Sequence, residues 1–288
     1  MENNEQKILD DLQAARQFYT SRDYPKAIEI YTRLADLLKD EKENLAVILI
    51  ELAWSYYQHQ EYASAIDCLE KAIQNGRLDQ QQLFDCYRLI GFSLQMLNQR
   101  PEAIRYLKKA VGMEIAETVK RFSYFELGKI FFMEGQMMEA EHYFTAARSL
   151  FSEQEKSYIV ALAFYQGFIN YFQKNYPQAR QHFAYIIQHA EDNKTKASGF
   201  FGMAHLYYQE KKFPVVIDIC EKIMRLDETF YDKESLGYFL CESYLHLKDW
   251  ENLESFFTEL QTQYPNGRYR KEYPKFAEAL KHRHLPQK

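Results

Sequence analysis

Small and apolar positions return along this chain on a fixed beat. A small residue stands twelve positions before another small or aliphatic one, and a residue able to fill a core follows four further on. The units are Ala15, Ala27 and Tyr31; Ala53, Ala65 and Leu69; Gly91, Ala103 and Leu107; Gly128, Ala140 and Phe144; Gly167, Ala179 and Phe183; Ala204, Val216 and Cys220; and Cys241, Leu253 and Phe257. Successive units are offset by 38, 38, 37, 39, 37 and 37 residues. A period of this size predicts a solenoid of stacked repeats, in which each unit buries its apolar face only against its neighbours.

Within each unit the apolar positions recur at three and four, the signature of an amphipathic helix. In the second unit Leu49, Leu52, Ala53 and Tyr56 form one face, and Ile66, Leu69, Ala72 and Ile73 another. The polar turn His59-Gln60-Glu61 between them is short enough to predict an antiparallel helical hairpin. Pro25, Pro101, Pro177 and Pro214 each stand two residues before the small or aliphatic site that follows the turn, a placement suited to the first turn of a helix. Tyr24, Tyr62, Tyr176, Phe213 and Trp250 come next to that place and are expected to pack over the turn as hydrophobic staples. Gly91, Gly128 and Gly167 fall inside helices, where glycine costs about 1 kcal/mol relative to alanine. Their recurrence predicts a close approach of the partner helix.

These residues resemble the tetratricopeptide repeat. The matching run is Leu49, Leu52, Ala53, Tyr56, Ala65, Leu69 and Ala72 in the second unit, and Tyr124, Leu127, Gly128, Phe131, Ala140, Phe144 and Ala147 in the fourth. The resemblance covers about residues 5–265 and implies an all-α solenoid of about seven helical hairpins. Two features depart from it. The period exceeds the family's usual 34, and Gln166 and Asn170 replace aliphatic residues of the packing face in the fifth unit. That pair needs hydrogen-bond partners if buried, a locally rotated helix if not, or marks a functional polar spot. After Tyr264-Pro265-Asn266-Gly267, a turn by composition, a helix is expected from about Arg268 to His282, with Tyr273, Phe276, Ala277 and Leu280 on its apolar face. The expected organisation is a repeat superhelix over 1–265 and a basic capping helix and tail over 266–288.

The net charge of −5 is too mild for nucleic acid, but it is uneven. Residues 268–288 carry +5 and the preceding 267 carry −10. Such an end is either a solvated cap or a dock for an acidic surface, including the N-terminus of another copy (Glu2, Glu5, Asp10, Asp11), so a homo-oligomer is one possibility. MENNEQKILDD lacks the basic and apolar regions of a secretory leader, and no apolar run reaches the ~18–20 residues that span a bilayer. The expectation is a cytoplasmic protein with no membrane insertion, its four cysteines (Cys68, Cys86, Cys220, Cys241) reduced, although Cys220 and Cys241 fall close enough in the repeat for a regulatory disulfide to be weighed. No phosphate loop, HExxH or GxSxG occurs. His182 with His189 would need further ligands, and His282 and His284 lie near the terminus. No enzyme, cofactor or metal is therefore expected.

In proteins similar to this one the first helix of each hairpin lines the concave side. The resemblance thus implies an inner row of Leu12, Arg16 and Tyr19; Ile50, Trp54 and Tyr57; Arg88, Phe92 and Gln95; Phe125, Lys129 and Phe132; Phe164, Phe168 and Tyr171; Phe201, His205 and Tyr208; and Tyr238, Glu242 and Leu245. Its middle is rich in aromatics, which supply large contact area at low entropic cost. The candidate partner-binding residues are Trp54, Arg88, Phe92, Phe125, Lys129, Phe132, Phe164, Phe168, Tyr171, Phe201 and Tyr208. The alternative is that these rings fill the face by packing on one another. The family's chaperone-tail carboxylate clamp is not expected, because Leu12, Arg16, Glu51, Asp85 and Leu89 stand at its positions. The function expected is a scaffold or adaptor that captures a protein or peptide; the alternatives are a peptide-responsive regulator and a self-assembling scaffold.

Overall fold

The computed structural model describes residues 2–283, and the expectations for His284 and the basic tail through Lys288 lie outside the described residues. Among those described, every regular element is helical. The chain divides into two compact units, Met1–Phe151 and Ser152–Lys288. The first holds four hairpins: α1 (Glu2–Thr20) with α2 (Tyr24–Leu37), α3 (Lys42–Gln58) with α4 (Tyr62–Asn75), α5 (Gln80–Met96) with α6 (Arg100–Val111), and α7 (Arg121–Met133) with α8 (Met137–Leu150). The second holds α9 (Lys156–Phe172) with α10 (Tyr176–His189), α11 (Asn193–Gln209) with α12 (Phe213–Leu226), α13 (Lys233–Leu247) with α14 (Trp250–Gln263), and a terminal α15 (Tyr273–Lys281). The fold class is an all-α array of seven solenoid-type hairpins with a capping helix.

The beat of small residues is the core. Ala15, Ala53 and Ala204 on first helices, and Ala27, Ala65, Ala103, Ala140, Ala179, Val216 and Leu253 on second helices, have no exposed surface. Leu69, Leu107, Phe144 and Phe183, one turn beyond the second set, are equally enclosed. Glycine replaces alanine where the facing side chain leaves no room. A β-carbon on Gly91 would lie 2.6 Å from Leu107, and one on Gly128 would lie 2.6 Å from the Phe144 ring. Phe183 is confined from two sides, by Gly167 of its own hairpin and by Gly202 of the next.

All seven hairpin turns share one backbone device. Arg22, Gln60, Asn98, Gly135, Lys174, Lys211 and Lys248 have φ between 56° and 74°. The amide that follows each donates to the carbonyl five residues back, as Glu61 does to Tyr56 at 2.9 Å and Asn175 to Asn170 at 2.8 Å. This is the Schellman closure, which satisfies carbonyls left over at a helix end. The five aromatics expected as staples open second helices, and four of them pack back onto rings five residues earlier: Tyr24 on Tyr19 (5.8 Å between centroids), Tyr62 on Tyr57 (5.5 Å), Tyr176 on Tyr171 (5.9 Å) and Phe213 on Tyr208 (6.5 Å); Trp250 has Leu245 at that place. Gln166 and Asn170 are half-buried, and Asn170 serves the fifth turn. Its amide donates to the Gln166 carbonyl at 2.8 Å, and its side-chain oxygen accepts from Asn175 at 3.0 Å.

The terminal helix is shorter than expected from the sequence. Residues 270–272 form a 3₁₀ turn and α15 begins at Tyr273, because Pro274 lacks an amide donor and suits a helix's opening turn. Phe276 is fully enclosed and Tyr273 nearly so, while the Tyr273 hydroxyl donates to the Tyr264 carbonyl at 2.7 Å. Three of the basic residues of this end pair with carboxylates of the same unit. Arg268 pairs with Asp232 and Glu234, Lys275 with the buried Glu242 at 2.5 Å, and Arg283 with Glu254 at 2.5 Å. All four cysteines are buried free thiols. Burial pushes Cys68 up to about 11 and Cys86 and Cys241 up to about 12, and raises Cys220 as well.

Candidate functional site

The residues that follow the small packing residues of the first helices differ in exposure from repeat to repeat. In the first unit these residues are Arg16, Trp54, Phe92 and Lys129; Arg16 is exposed and the other three are half-buried. Arg16 Nε donates to Glu51 Oε2 at 3.0 Å, and the Tyr31 hydroxyl donates to the same oxygen at 2.7 Å. With Tyr19, Thr20 and Trp54 these three line a largely apolar cleft of about 470 Å³.

Trp54 of α3 meets Arg88 of α5. The guanidinium lies 5.4 Å from the indole and 5.3 Å from the Phe84 ring, and Nη2 is 2.8 Å from Asp85 one turn back on its own helix. Arg88 Nε is buried without a hydrogen-bond partner. Burial pulls the guanidinium pKa down against the attraction of Asp85, and the like charge of Arg121 adds to the depression. Lys129 of α7 is held 2.9 Å from both oxygens of Glu126 and 5.7 Å over the Phe125 ring. Burial, and then the charge of Glu126, push the Tyr57 hydroxyl up to about 12. Phe92 and Phe132 are half-buried. Phe125, expected on the open row, is 7% exposed and packs edge-on against Phe144 (5.9 Å) and Phe151 (6.3 Å), so it belongs to the core.

The second unit closes the equivalent face with rings. Phe168, 6% exposed, touches Phe164 (4.9 Å), Phe183 (5.0 Å), His205 (5.4 Å) and Phe201 (6.1 Å). Phe201, 4% exposed, packs on His205 (4.7 Å) and Phe230 (5.2 Å). His205 also meets Tyr171 (5.3 Å) and Phe239 (4.8 Å), and burial among these rings pushes its pKa down to about 4. Phe168 and Phe201 are therefore core residues, contrary to their expected place on an open row, because side chains of α9, α11 and α13 reach one another around them. Phe164, Tyr171 and Tyr208 remain half-buried at the edge of this layer. The Tyr171 hydroxyl accepts from Gln209 at 3.1 Å, Tyr208 and Tyr238 join hydroxyls at 3.2 Å, and Tyr238 stacks on Tyr269 at 4.0 Å.

The sequence points to the cations of the first unit, and to Glu51 and Asp85 only as departures from a carboxylate clamp, not to the carboxylates as their partners. The spacing of Asp85 to Arg88 and of Glu126 to Lys129, one helical turn, is a signal present in the sequence. The Arg16–Glu51–Tyr31 cluster joins three helices and follows only once the hairpins are stacked. Among the described residues no helix is long and apolar enough to cross a membrane, and no group of three or more His, Cys, Asp and Glu is placed to hold a metal ion.

The tetratricopeptide repeat model matches residues 49–75, which span most of α3 and all of α4. A comparison with curated protein sequences finds no match. Among solved structures, the apo form of the quorum sensor NprR from B. thuringiensis shares the fold with a TM-score of 0.70 and 12% identity, over 98% of this chain and 83% of that one. The apo form of RapI does so with a TM-score of 0.66 and 13% identity, over 93% and 79%. The APC/C hetero-tetramer Cut9-Hcn1 contains a chain similar over 96% of this one, at a TM-score of 0.61 and 16% identity; this chain spans only 52% of it. Repeats of this type typically serve protein–protein interaction through the extended surfaces they stack into. The repeat model thus marks one hairpin, most of α3 with the whole of α4, and the solved structures share the fold of the hairpin array.

Proposed function

We propose that this chain is a non-enzymatic interaction scaffold that captures a peptide or helix of a partner on the first-helix face of its first unit. The observation that carries the reading is the half-buried row of Trp54, Arg88, Phe92, Lys129 and Phe132 on three successive first helices. Its cations are already fixed over rings by carboxylates one turn away, so little side-chain freedom remains to be lost on binding. Rigid aromatic anchors with neighbouring charges are the composition of binding hot spots, and an apolar stripe on parallel helices suits an amphipathic or extended segment.

The test is capture from the source cell's lysate by the wild type and by a Trp54→Ala/Phe92→Asp/Phe132→Asp variant that keeps its helicity. A partner retained by the first and lost by the second supports the reading. Identical captured sets from both proteins remove this face as the binding surface.

A further inference from the structure

Beside Trp54 the first unit offers two things to a bound segment: an apolar cleft and an incompletely neutralised guanidinium. The cleft of Arg16, Tyr19, Thr20, Tyr31, Glu51 and Trp54 is walled by rings, and its carboxylate already accepts from both Arg16 and Tyr31. Glu51 is thus poorly placed to recruit a cation, and what the cleft has to offer is apolar contact. Across the same indole, Arg88 is four-fifths buried. Its ion pair is with Asp85 alone among the described residues and Arg121 adds positive potential, while the Nε proton, itself enclosed, has no acceptor within the fold. A guanidinium carries five N–H donors in a planar fork suited to carboxylates, so one monodentate partner leaves most of that capacity unused.

Resting on the binding reading above, we propose that this cleft and Arg88 select the partner: a polypeptide segment with an apolar side chain for the cleft and a nearby Asp or Glu for Arg88. Burial of Arg88 against two rings makes the pairing less screened by solvent than one at an exposed arginine.

The experiment uses the full chain and a phage library of random dodecapeptides, followed by synthetic versions of the enriched sequences. The expected result is enrichment of peptides with an aliphatic or aromatic residue within a few positions of an acidic one. Replacing that acidic residue by its amide should weaken binding at least tenfold, a change that leaves the protein untouched. Arg88→Gln should weaken the acidic peptide by a similar factor and the amide peptide by less than twofold, and Trp54→Ala should weaken both. Peptides that need Trp54, Phe92 and Phe132 but are neutral or basic, and indifferent to Arg88→Gln, overturn this inference and leave the binding face standing. Peptides indifferent to all four substitutions, or a library that yields no binder, overturn both.

Discussion

Gly128 lies against the ring of Phe144, so close that a β-carbon on the glycine would stand 2.6 Å and 2.7 Å from two of the ring's edge atoms. Phe144 has no exposed surface and packs against Phe125, so it cannot swing aside without disturbing that contact. Gly128→Ala should gain about 1 kcal/mol of helix propensity and lose about 1–3 kcal/mol to overpacking, a net destabilisation. Urea unfolding followed by helicity checks it. A variant as stable as the wild type, or more so, would show that the glycine is not required by its neighbour.

The seven turns make the opposite prediction. Each places one residue in the left-handed region, and Gly135 is the only glycine among the seven. A side chain there costs about 1–2 kcal/mol, which glycine avoids. Lys174→Gly and Lys211→Gly should therefore each stabilise by about 1 kcal/mol, and Gly135→Lys should destabilise by a similar amount. The exposed positions of these residues keep other contacts out of the comparison. Midpoints that move in the reverse direction would contradict the shared closure.

These two sets of residues also show why the hairpins and the places of their turns are legible in the sequence while the left-handed closure of each turn is not. A helix pair at close quarters demands small residues, and that demand is written as Ala15, Ala53, Gly91, Gly128 and their successors. The turn demands only a backbone conformation, which arginine, glutamine, asparagine and lysine adopt with modest strain, so it leaves no common residue type behind. The candidate face divides in the same way. Phe92 and Phe168 hold the same register position, and periodicity gives both the same direction. One is half-buried and the other is core, because Phe201 and His205 of the next first helix reach Phe168. Register encodes where a side chain points, whereas burial depends on what stands opposite.

That difference has a mutational consequence. Phe168→Ala should destabilise the second unit by about 3–5 kcal/mol, the usual loss for an enclosed phenylalanine. Phe92→Ala should cost about 1–2 kcal/mol, since the ring gives up less buried surface. Phe168→Asp, which would be a clean probe of binding if the ring were exposed, should instead lose helicity. Denaturation midpoints of the alanine pair decide the matter, and equal shifts would mean that both rings share one environment.

The rings around half-buried His205 make the second unit acid-sensitive before its carboxylates titrate. The imidazole is surrounded by Phe168, Tyr171, Phe201 and Phe239, with the charges of Asp232 and Arg268 acting on it in opposite directions. Burial lowers its pKa from 6.5 to about 4, so between those values the unfolded chain binds a proton that the folded chain refuses. The stability this residue contributes is complete above the unfolded value and is lost as pH falls toward the folded one. Between pH 7 and pH 5 the loss should be about 2 kcal/mol. His182 is shifted in the same direction by burial and adds to the slope, so the measurement must isolate His205. Urea unfolding at both pH values, for the wild type and for His205→Phe, does so through the difference between the two pH dependences rather than through absolute stability. The variant should lose less stability on acidification than the wild type; equal losses would mean that the imidazole charges freely within the fold and that the rings around it admit water.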